Sequence, residues 1–523
     1  MSLKRVQLSG SYLTPEQCSV VSSRMQRGGN TYFRKMVDFE LWDAIQHAFE
    51  SYPENKPMLD NLRAAALDTK VSKSFKNAEV TMDNIEHYGG NTPRPLVWNR
   101  NFRLASALLK DWIKVRKLTP VRYSTVDEVL SNLPNKNASA GAIADGTKAD
   151  NAELILEGYK SLRTSIANGE TPWIPALSFH RSQIGHYLDG DGNFDSSEIK
   201  YKDRLVWGLD AATVAVESQY AIPLVNWFSQ NVWFYAGGKT PDEIRNLVNN
   251  SRMRSTFWYS LDFSQFDQTI PAWLIKHIFY LLRKFYSGDE SHRELKWIEN
   301  NFINTAIVKF DGTVVVKDHG IPSGSNFTQL VGSMANALVI LTYLFSKADG
   351  KSDAVKTRYV KSDLHVTTSN CGMLTMGDDN LFFSRNGIDV AEMSSYVKRN
   401  FGMTIHPDKT VSGGRQQRPT FLKREWSVDG EYRDLLDVFI NVIHPERERS
   451  YNDYSPYHIL YGLYLTYRLG FPKSMERQLV SLMENNGGIE RLRDLKGRGM
   501  PGVFRQFGDK AGEALLNRAK AYR

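Results

Sequence analysis

Residues 376–380 read Met-Gly-Asp-Asp-Asn, and this stretch is the most informative one about the fold. Short, mostly apolar runs flank it at 372–376 and 380–384, whereas Gly377, Asp378 and Asp379 are residues that favour tight turns. Two such runs joined by a tight turn predict a β-hairpin. Both carboxylates would then stand together at the tip of that hairpin.

A second acidic segment lies upstream at residues 262–267, which read Asp-Phe-Ser-Gln-Phe-Asp. The aromatic and apolar residues 257–261 predict a strand that ends at Asp262. If this strand neighbours the hairpin, the carboxylates of Asp262, Asp378 and Asp379 converge. Like charges that close repel each other unless a cation neutralises them, and Mg²⁺ prefers oxygen ligands. Two such ions about 4 Å apart promote in-line phosphoryl displacement. We therefore predict two Mg²⁺ ions, with Mn²⁺ as a substitute.

The alternative is a structural turn, because Gly-Asp-Asp alone is an ordinary turn sequence and Asp-x4-Asp alone is unspecific. The order of the two segments, their strand contexts and the intervening Ser323-Gly324 pair favour the catalytic interpretation.

The rest of the chain predicts an α+β fold in which helices cover a small antiparallel sheet. Apolar residues recur at helical spacing in three segments, 38–52, 101–117 and 271–286. Residues 313–316 are all β-branched and follow an Asp-Gly turn, so they predict another strand. No repeat or long linker divides the chain.

Composition restricts the class of protein. The chain has 523 residues, 41% of them hydrophobic, enough for several domains and a large core. Cys18 and Cys371 are too few and too far apart for a zinc site or a disulfide framework, which favours a reducing compartment. The sequence begins without the apolar region of a signal peptide, and we find no run of about eighteen apolar residues. These features predict a soluble intracellular protein that does not enter membranes.

The net charge of +8 is concentrated near the C-terminus. Residues 491–523 contain nine lysines and arginines against three acidic residues. A concentrated positive field attracts nucleic acid, although a solvated basic helix is the simpler explanation of such a run alone.

Taken with their order, these segments resemble the motifs of viral RNA-dependent RNA polymerases. Residues 262–267 resemble motif A, 320–329 (Gly-Ile-Pro-Ser-Gly-Ser-Asn-Phe-Thr-Gln) motif B, 377–379 motif C and 421–424 motif E. Within the family, motif B is most similar to that of the picobirnaviruses and partitiviruses, which have double-stranded RNA genomes. The resemblance implies a right-hand fold in which Asp262 and Asp378 bind metal ions and Asp379 assists.

The resemblance also implies a domain order. Residues 1–60 would bridge fingers and thumb, 61–255 would form the fingers together with 276–318, 256–275 and 319–438 would form the palm, and 439–523 would form the thumb with its basic tail.

Residues 200–206 alternate basic with other residues, so that on a strand Lys200, Lys202 and Arg204 share one face. An NTP triphosphate would relieve their repulsion, whereas the alternative is an exposed basic edge strand. The segment resembles motif F, whose matching residues, Lys202 and Arg204, grip the triphosphate.

Sugar selection is assigned to Asp267, because a carboxylate accepts a hydrogen bond from a ribose 2′-hydroxyl that deoxyribose lacks. Many relatives place an asparagine nine residues after the motif B serine, where this chain has Gly332. Asn336 lies one helical turn further on and is retained as a candidate nucleotide contact. The remaining candidates for nucleotide contact are Ser323, Gly324 and Thr328.

Three further segments supply candidates. Residues 401–410 resemble motif D, in which Lys409 would protonate departing pyrophosphate, with His406 as a weaker competitor. Lys423 and Arg424 would contact the backbone of the growing RNA end. Residues 137–141 loosely resemble motif G, so Ser139 and Gly141 would guide template, although an ordinary small-residue loop explains them equally well.

The leading hypothesis is thus an RNA-dependent RNA polymerase that replicates and transcribes a viral double-stranded RNA genome. Its partners would be RNA template and product, NTPs and a capsid protein, but not DNA, and it would work inside the virion and in the host cytoplasm. A reverse transcriptase is the nearest alternative, disfavoured by Asp267 and by glycine before the Asp pair. A non-enzymatic RNA-binding or capsid-associated protein would explain the basic tail but leaves the carboxylates without a purpose.

Overall fold

The computed structural model describes residues 3–29, 34–73, 77–90, 93–367, 370–445, 448–495 and 511–522. The side chains of residues 80–81, 202–203 and 511 also lie outside this description.

Helices make up most of the described chain. They are α1 (Pro15–Gly28), α2 (Phe39–Phe49), α3 (Lys56–Leu67), α4 (Ala78–Asp83), α5 (Arg100–Ile113), α6 (Val126–Asn132), α7 (Ala152–Ala167), α8 (Ala211–Asn231), α9 (Pro241–Arg254), α10 (Phe266–Thr269), α11 (Ala272–Arg283), α12 (Asp289–Ile303), α13 (Thr328–Ser346), α14 (Asp353–Asp363), α15 (Val390–Phe401), α16 (Leu435–Ile443), α17 (Pro456–Thr466), α18 (Met475–Asn485) and α19 (Ala511–Lys520). The three segments with helical spacing all form helices, and they begin where the sequence offers caps. Asp38 caps α2 by accepting from the Leu41 N–H group, and Asn99 caps α5 in the same manner.

The strands are short. They are β1 (Lys4–Val6), β2 (Ala176–Gly185), β3 (Lys200–Gly208), β4 (Phe257–Ser260), β5 (Phe263–Ser264), β6 (Ala306–Val308), β7 (Val314–Val316), β8 (Met373–Met376), β9 (Asp379–Ser384), β10 (Thr404–Ile405), β11 (Val411–Gly414), β12 (Thr420–Phe421), β13 (Arg424–Trp426) and β14 (Glu431–Tyr432). Every predicted strand is present, and the predicted α+β class is confirmed.

Two sheets frame the site. The palm sheet has the order β11-β4-β9-β8 and is antiparallel throughout. The second sheet has the order β1-β7-β6-β2-β3, so that residues 306–316 join a sheet formed mainly by the N-terminal half. Its β2–β3 hairpin pairs over nine positions and carries the basic segment on an edge strand.

The hydrophobic core has two main bodies. The larger one includes α5, α8, α11 and α13 and lies beneath the palm sheet. The second joins the N-terminal helices α2 and α3 to α16, α17 and α18 near the C-terminus. Residues 39–67 therefore pack against residues 435–485, although they are far apart in the sequence. The domain boundaries stay predictions.

Helix α13 corrects one reading of the sequence. It is long and apolar enough to cross a membrane by length and composition, with a mean hydropathy of 1.4, although no apolar run of that length was expected. Of that window, 89% is buried inside the protein, as in the core helix of a soluble protein.

Candidate active site

The palm sheet brings the predicted carboxylates together. Strand β4 pairs with β9 in the register Tyr259 to Phe382, so the end of β4 lies beside the β8–β9 turn. Asp262 follows β4, and Asp378 and Asp379 lie at that turn, where Gly377 has φ +67°. Glycine adopts this left-handed conformation without strain, which explains its place before the Asp pair.

Mutual repulsion and partial burial mark the cluster. The pKa of Asp379 is raised to about 7 by desolvation, then by the negative charges of Asp378 and Asp262, while Lys423 opposes the shift. Such coupling requires the carboxyl groups to share one region, as predicted from the two segments.

Asp267 interacts electrostatically with the same acidic cluster and, in addition, with a basic residue of β3. Its pKa is raised to about 7 by desolvation and by Asp378, and lowered by Arg204. The side chain reaches solvent, yet surrounding protein displaces much of the water around its carboxyl group. Asp267 therefore stands between the acidic cluster and the basic strand.

The described residues contain no group of three His, Cys, Asp or Glu side chains already arranged around a metal position. The donor chemistry nevertheless suits Mg²⁺, which takes one or two protein carboxylates and completes its shell with water and substrate phosphates. The negative charges of Asp378 and Asp262 add to desolvation in raising the pKa of Asp379, and a divalent ion would neutralise those charges. Asp262, Asp378 and Asp379 are the residues that would hold it.

Asn380 is a structural partner of this site that sequence reasoning missed. Its amide oxygen accepts from the Leu261 N–H group at 3.0 Å, and its amide nitrogen donates to the Leu261 carbonyl at 3.1 Å. This buried side chain therefore ties the residue before Asp262 to the residue after Asp379. The Asp-Asp-Asn triplet was visible in the sequence, but nothing there indicated which strand the amide would face.

Asn336 corrects a prediction. It is fully buried in α13, and its amide nitrogen donates to the carbonyls of Gly377 at 3.0 Å and Asp378 at 2.9 Å. Because it lies beneath the turn, it supports the catalytic carboxylates and does not reach a ribose. Gly332 has a related explanation, since a Cβ atom there would lie 3.2 Å from the Cα atom of Gly377. The close approach of α13 to the turn favours glycine at the position where relatives carry asparagine.

The basic segment forms β3, as predicted, with Arg204 opposite Arg181 and Lys200 opposite Gly185 of β2. Lys200 and Arg204 are both exposed, and Arg204 acts electrostatically on Asp267. The Lys202 side chain lies outside the described residues, although its backbone pairs with Gln183. An edge strand was the alternative, and β3 is one, but the proximity of Arg204 to Asp267 favours a nucleotide-facing role.

The 320–328 loop contacts both β3 and the motif A segment. The Ser323 hydroxyl accepts from the Trp207 N–H group at 3.0 Å, and a Cβ atom at Gly324 would lie 2.7 Å from the Trp207 carbonyl oxygen. Thr328 donates to the Pro322 carbonyl across the loop. Ser323 therefore lies in the loop beside β3, Thr328 is the first residue of α13, and both hydroxyls help to hold the conformation of the loop.

The motif D segment is bonded directly to motif A. Strand β10 pairs with β5, and the N–H group of His406 donates to the Asp262 carbonyl at 2.8 Å. The Thr410 hydroxyl accepts from the Asp262 N–H group at 3.3 Å. Lys409 lies exposed between these two attachments, so its backbone is held close to that of Asp262.

Lys423 and Arg424 have different environments, although they are neighbours. Leu422 and Lys423 both have positive φ, +55° and +58°, and form the two-residue turn between β12 and β13. Positive φ is strained for such residues and recurs at functional sites. The turn exposes Lys423 and holds it close to Asp379. The positive charge of Lys423 therefore opposes the rise in the pKa of Asp379.

Arg424, by contrast, is 4% exposed, with its guanidinium over the rings of Tyr467 and Trp426. The prediction that Arg424 contacts RNA is therefore wrong, because alternation along β13 turns it into the core. Only the exposed member of the pair is available to a phosphate.

The loop that resembles motif G is held from two sides. Arg24 donates to the Ser139 hydroxyl at 3.2 Å and to the Gly141 carbonyl at 2.9 Å. Gly141 has φ +90° and is buried so closely that a Cβ atom would lie 2.6 Å from the Asp210 Cα atom. Gly141 therefore shapes the loop and does not contact RNA through its surface, whereas Ser139 remains partly exposed.

Acidic side chains offset more of the positive charge in the C-terminal segment than its sequence suggested. Residues 496–510 and 523 lie outside the described residues. The four remaining cations form ion pairs with nearby carboxylates: Arg491 with Asp494, Arg493 with Glu490 and Glu513, Lys520 with Glu490, and Arg518 with Glu476. Glu476 and Glu490 precede the segment that was counted, so the described part does not present an unopposed positive field.

Comparisons with known proteins agree with this geometry. Residues 195–439 match the family model described as viral RNA-dependent RNA polymerase. The sequence is 32% identical over 143 residues to the RNA-directed RNA polymerase of Cryptosporidium parvum virus 1 (strain KSU-1), covering 26% of each protein. It is 25% identical over 184 residues to non-structural polyprotein 1AB of ovine astrovirus 1, covering 34% of this chain and 13% of that one. The chain thus spans about a quarter or less of the curated relatives that it matches.

A solved structure shows the fold over the whole length. The insertion-loop deletion mutant of the RNA-dependent RNA polymerase of a human picobirnavirus aligns with a TM-score of 0.60 at 15% identity. The alignment covers 99% of this chain and 100% of that one. The fold is therefore the right-hand polymerase fold, and residues 195–439 are similar to the viral RNA-dependent RNA polymerase family. The predicted resemblance to viral RNA-dependent RNA polymerases is confirmed.

Proposed function

We propose that this protein is an RNA-dependent RNA polymerase that replicates and transcribes a viral double-stranded RNA genome. The observation that carries the proposal is the convergence of Asp262, Asp378 and Asp379 at the end of the palm sheet, with Asp267 between them and Arg204. The family match over residues 195–439 supports the reaction class. The double-stranded genome is supported by the picobirnavirus-like fold.

The reaction joins one nucleotide to the growing strand. The 3′-hydroxyl oxygen attacks the α-phosphorus of an NTP, a new phosphodiester bond forms, the α–β phosphoanhydride bond breaks, and pyrophosphate leaves. Two Mg²⁺ ions, or Mn²⁺ in their place, would activate the hydroxyl and stabilise the departing oxygen. Asp262, Asp378 and Asp379 would hold them.

Side chains of the protein would orient the nucleotide and distinguish ribose from deoxyribose. Lys200, Lys202 and Arg204 would bind the triphosphate, since cations on one strand face suit a polyanion. Asp267 would accept a hydrogen bond from the ribose 2′-hydroxyl, with Ser323, Gly324 and Thr328 in the neighbouring loop. Lys409 would donate a proton to pyrophosphate as it leaves. Lys423 and Ser139 would position the product and template backbones.

Two alternatives are less well supported. A reverse transcriptase would exclude ribose with a bulky side chain, where this chain has a carboxylate beside Arg204. A non-enzymatic RNA-binding protein would not need three carboxylates in one electrostatic field.

We further propose that the enzyme works within the virion and the host cytoplasm, bound to a capsid protein.

The test is primer extension on an RNA template with each of the NTPs and dNTPs in Mg²⁺. We expect ribonucleotide incorporation by the wild type and none above background by Asp378→Ala, with RNA affinity unchanged within about twofold, because a single metal ligand does not hold the RNA. The exposed Asp408→Ala serves as a carboxylate control near the site that should retain activity. Preferential dNTP incorporation, or wild-type turnover by Asp378→Ala, would contradict the proposal.

A further inference from the structure

Helix α8 follows the basic strand β3 and is buried over most of its first three turns. Glu217 lies in this helix and is only 1% exposed. Among the described residues, the donors of the hydrogen bonds that it accepts lie in the loop of motif B. The Ser325 hydroxyl lies 2.8 and 2.9 Å from its two carboxylate oxygens, and the Asn326 N–H group donates at 2.9 Å.

A carboxylate in this place is costly for stability. Burial raises the pKa of Glu217 to about 7, and only the hydrogen bonds from Asn326 and Ser325 oppose that shift. Other buried glutamates are compensated by cations, as Glu299 is by Arg283 and Lys296. Burying a carboxylate without a cation requires compensation by hydrogen bonds, so a neutral side chain would serve packing better.

The loop that Glu217 holds is also hydrogen-bonded to residues of the candidate active site. On its C-terminal side, the Asn326 side chain also donates to the Val214 carbonyl of α8 at 3.2 Å. On its N-terminal side, the Ile321 N–H group donates to the carbonyl of Asp267 itself at 2.7 Å. Ser323 lies between these attachments and bonds to Trp207 of β3. One short loop therefore connects Glu217 to the backbone of the residue assigned to the sugar.

We propose that Glu217 is a positioning residue that fixes the Ser325–Asn326 end of the loop, so that Ser323 and Asp267 are held in place for the incoming ribonucleotide. It contacts neither substrate nor metal ion and acts through the loop. The proposal rests on the polymerase function proposed above. Helix α8 would then couple β3, which is proposed to bind triphosphate, to the loop beside the proposed ribose position.

The experiment is single-nucleotide incorporation on a primed RNA template, with kcat and KM measured for an NTP and the matching dNTP. Glu217→Ala is compared with Glu217→Gln, with Ser325→Ala and with Glu299→Ala, an equally buried glutamate of α12 that does not touch the loop. RNA affinity and the melting temperature are measured for each variant.

We expect Glu217→Ala to raise the KM for the NTP about tenfold and to reduce the preference for NTP over dNTP, as the loss of charge-assisted hydrogen bonds predicts. Ser325→Ala should also raise KM. A variant that combines Glu217→Ala with Ser325→Ala should have a KM close to that of the more strongly affected single variant. Glu217→Gln should stay within about threefold of wild type, because its amide can accept from Asn326 and donate to Ser325. Glu299→Ala should lower the melting temperature without changing KM.

The inference is overturned if Glu217→Ala keeps the wild-type KM and sugar preference, or if Glu299→Ala alters them equally. Should Glu217→Ala fail to fold, Ser325→Ala decides, and a wild-type KM in that variant overturns the inference. A wild type that incorporates no NTP would instead contradict the proposed function.

Discussion

At the residue scale, Asp267 differs from the other carboxylates of the site by its neighbours. Its charge interacts with Asp378 on one side and with Arg204 on the other, and its carbonyl oxygen binds the 320–328 loop. It therefore lies where the acidic cluster, the basic strand β3 and the loop meet. That position suits a residue that checks the sugar before chemistry.

We expect Asp267→Ala to lower the ratio of kcat/KM for NTP over dNTP by roughly 10- to 100-fold, because one charge-assisted hydrogen bond to the 2′-hydroxyl is lost. Competition between an NTP and its dNTP on one template measures the ratio. The exposed Asp408→Ala serves as control. An unchanged ratio would assign sugar selection to another residue.

Asp379 predicts a pH dependence of metal binding. Its pKa is raised to about 7 in the metal-free protein, so it holds a proton below that pH, and Mg²⁺ binding must release it. The apparent Mg²⁺ affinity should therefore rise from pH 6 to pH 8, with proton release largest at pH 6. Titration calorimetry in two buffers of different ionisation enthalpy measures both quantities.

Asp379→Asn should remove most of that dependence, leaving the part due to Asp267. The contribution of Asp379 to the stability of the metal-free protein should also fall as pH rises from about 4 to 7, because its native carboxyl group binds the proton more tightly than the unfolded one does. A Mg²⁺ affinity that is constant with pH would refute the electrostatic assignment.

At the element scale, the β12–β13 hairpin assigns opposite tasks to adjacent residues. Its two-residue turn exposes Lys423 toward Asp379, whereas β13 carries Arg424 into the core beside Tyr467. Strand periodicity separates the two side chains, although their chemistry is nearly the same. The hairpin thereby links the catalytic carboxylates to the C-terminal core.

The paired variants Lys423→Ala and Arg424→Ala test this separation. Lys423→Ala should weaken primer-template binding roughly tenfold while leaving the melting temperature unchanged, because an exposed phosphate contact is lost. Arg424→Ala should instead cost roughly 1–3 kcal/mol of stability through lost packing. RNA titration and thermal melting of both variants give the two readouts, and the reverse pattern would show that the assignment is inverted.

At the scale of the whole molecule, the N-terminal helices close the structure by packing on the C-terminal ones. Asp38 is central to this contact, since it caps α2 and also binds Arg449 at 2.5 Å and Tyr451 at 2.6 Å. The side chains of Asp38 and Arg449 are 6% and 9% exposed, so the pair is shielded from water. Residues about 410 positions apart in sequence thus share one buried ion pair.

Asp38→Ala should destabilise this body by about 3–5 kcal/mol, because it leaves a buried arginine without its partner. Differential scanning calorimetry should show an earlier transition for the part that contains α2 and α16–α18. The exposed Asp43→Ala, in the same helix, should change the transition little. Equal effects of the two variants would show that the ion pair does not hold the ends together.

The sequence by itself determined the local features: the acidic hairpin, the strand that ends at Asp262, the basic strand and the main helices. These follow from periodicity, turn residues and caps, which act over a few positions of the chain. Only the tertiary structure decided which buried polar side chains form hydrogen bonds to the segments of the site. Asn336, Asn380 and Glu217 are polar and were as plausible at the surface as in the core. Their partners are residues 41 to 119 positions away, and no local pattern indicates a contact over such a separation.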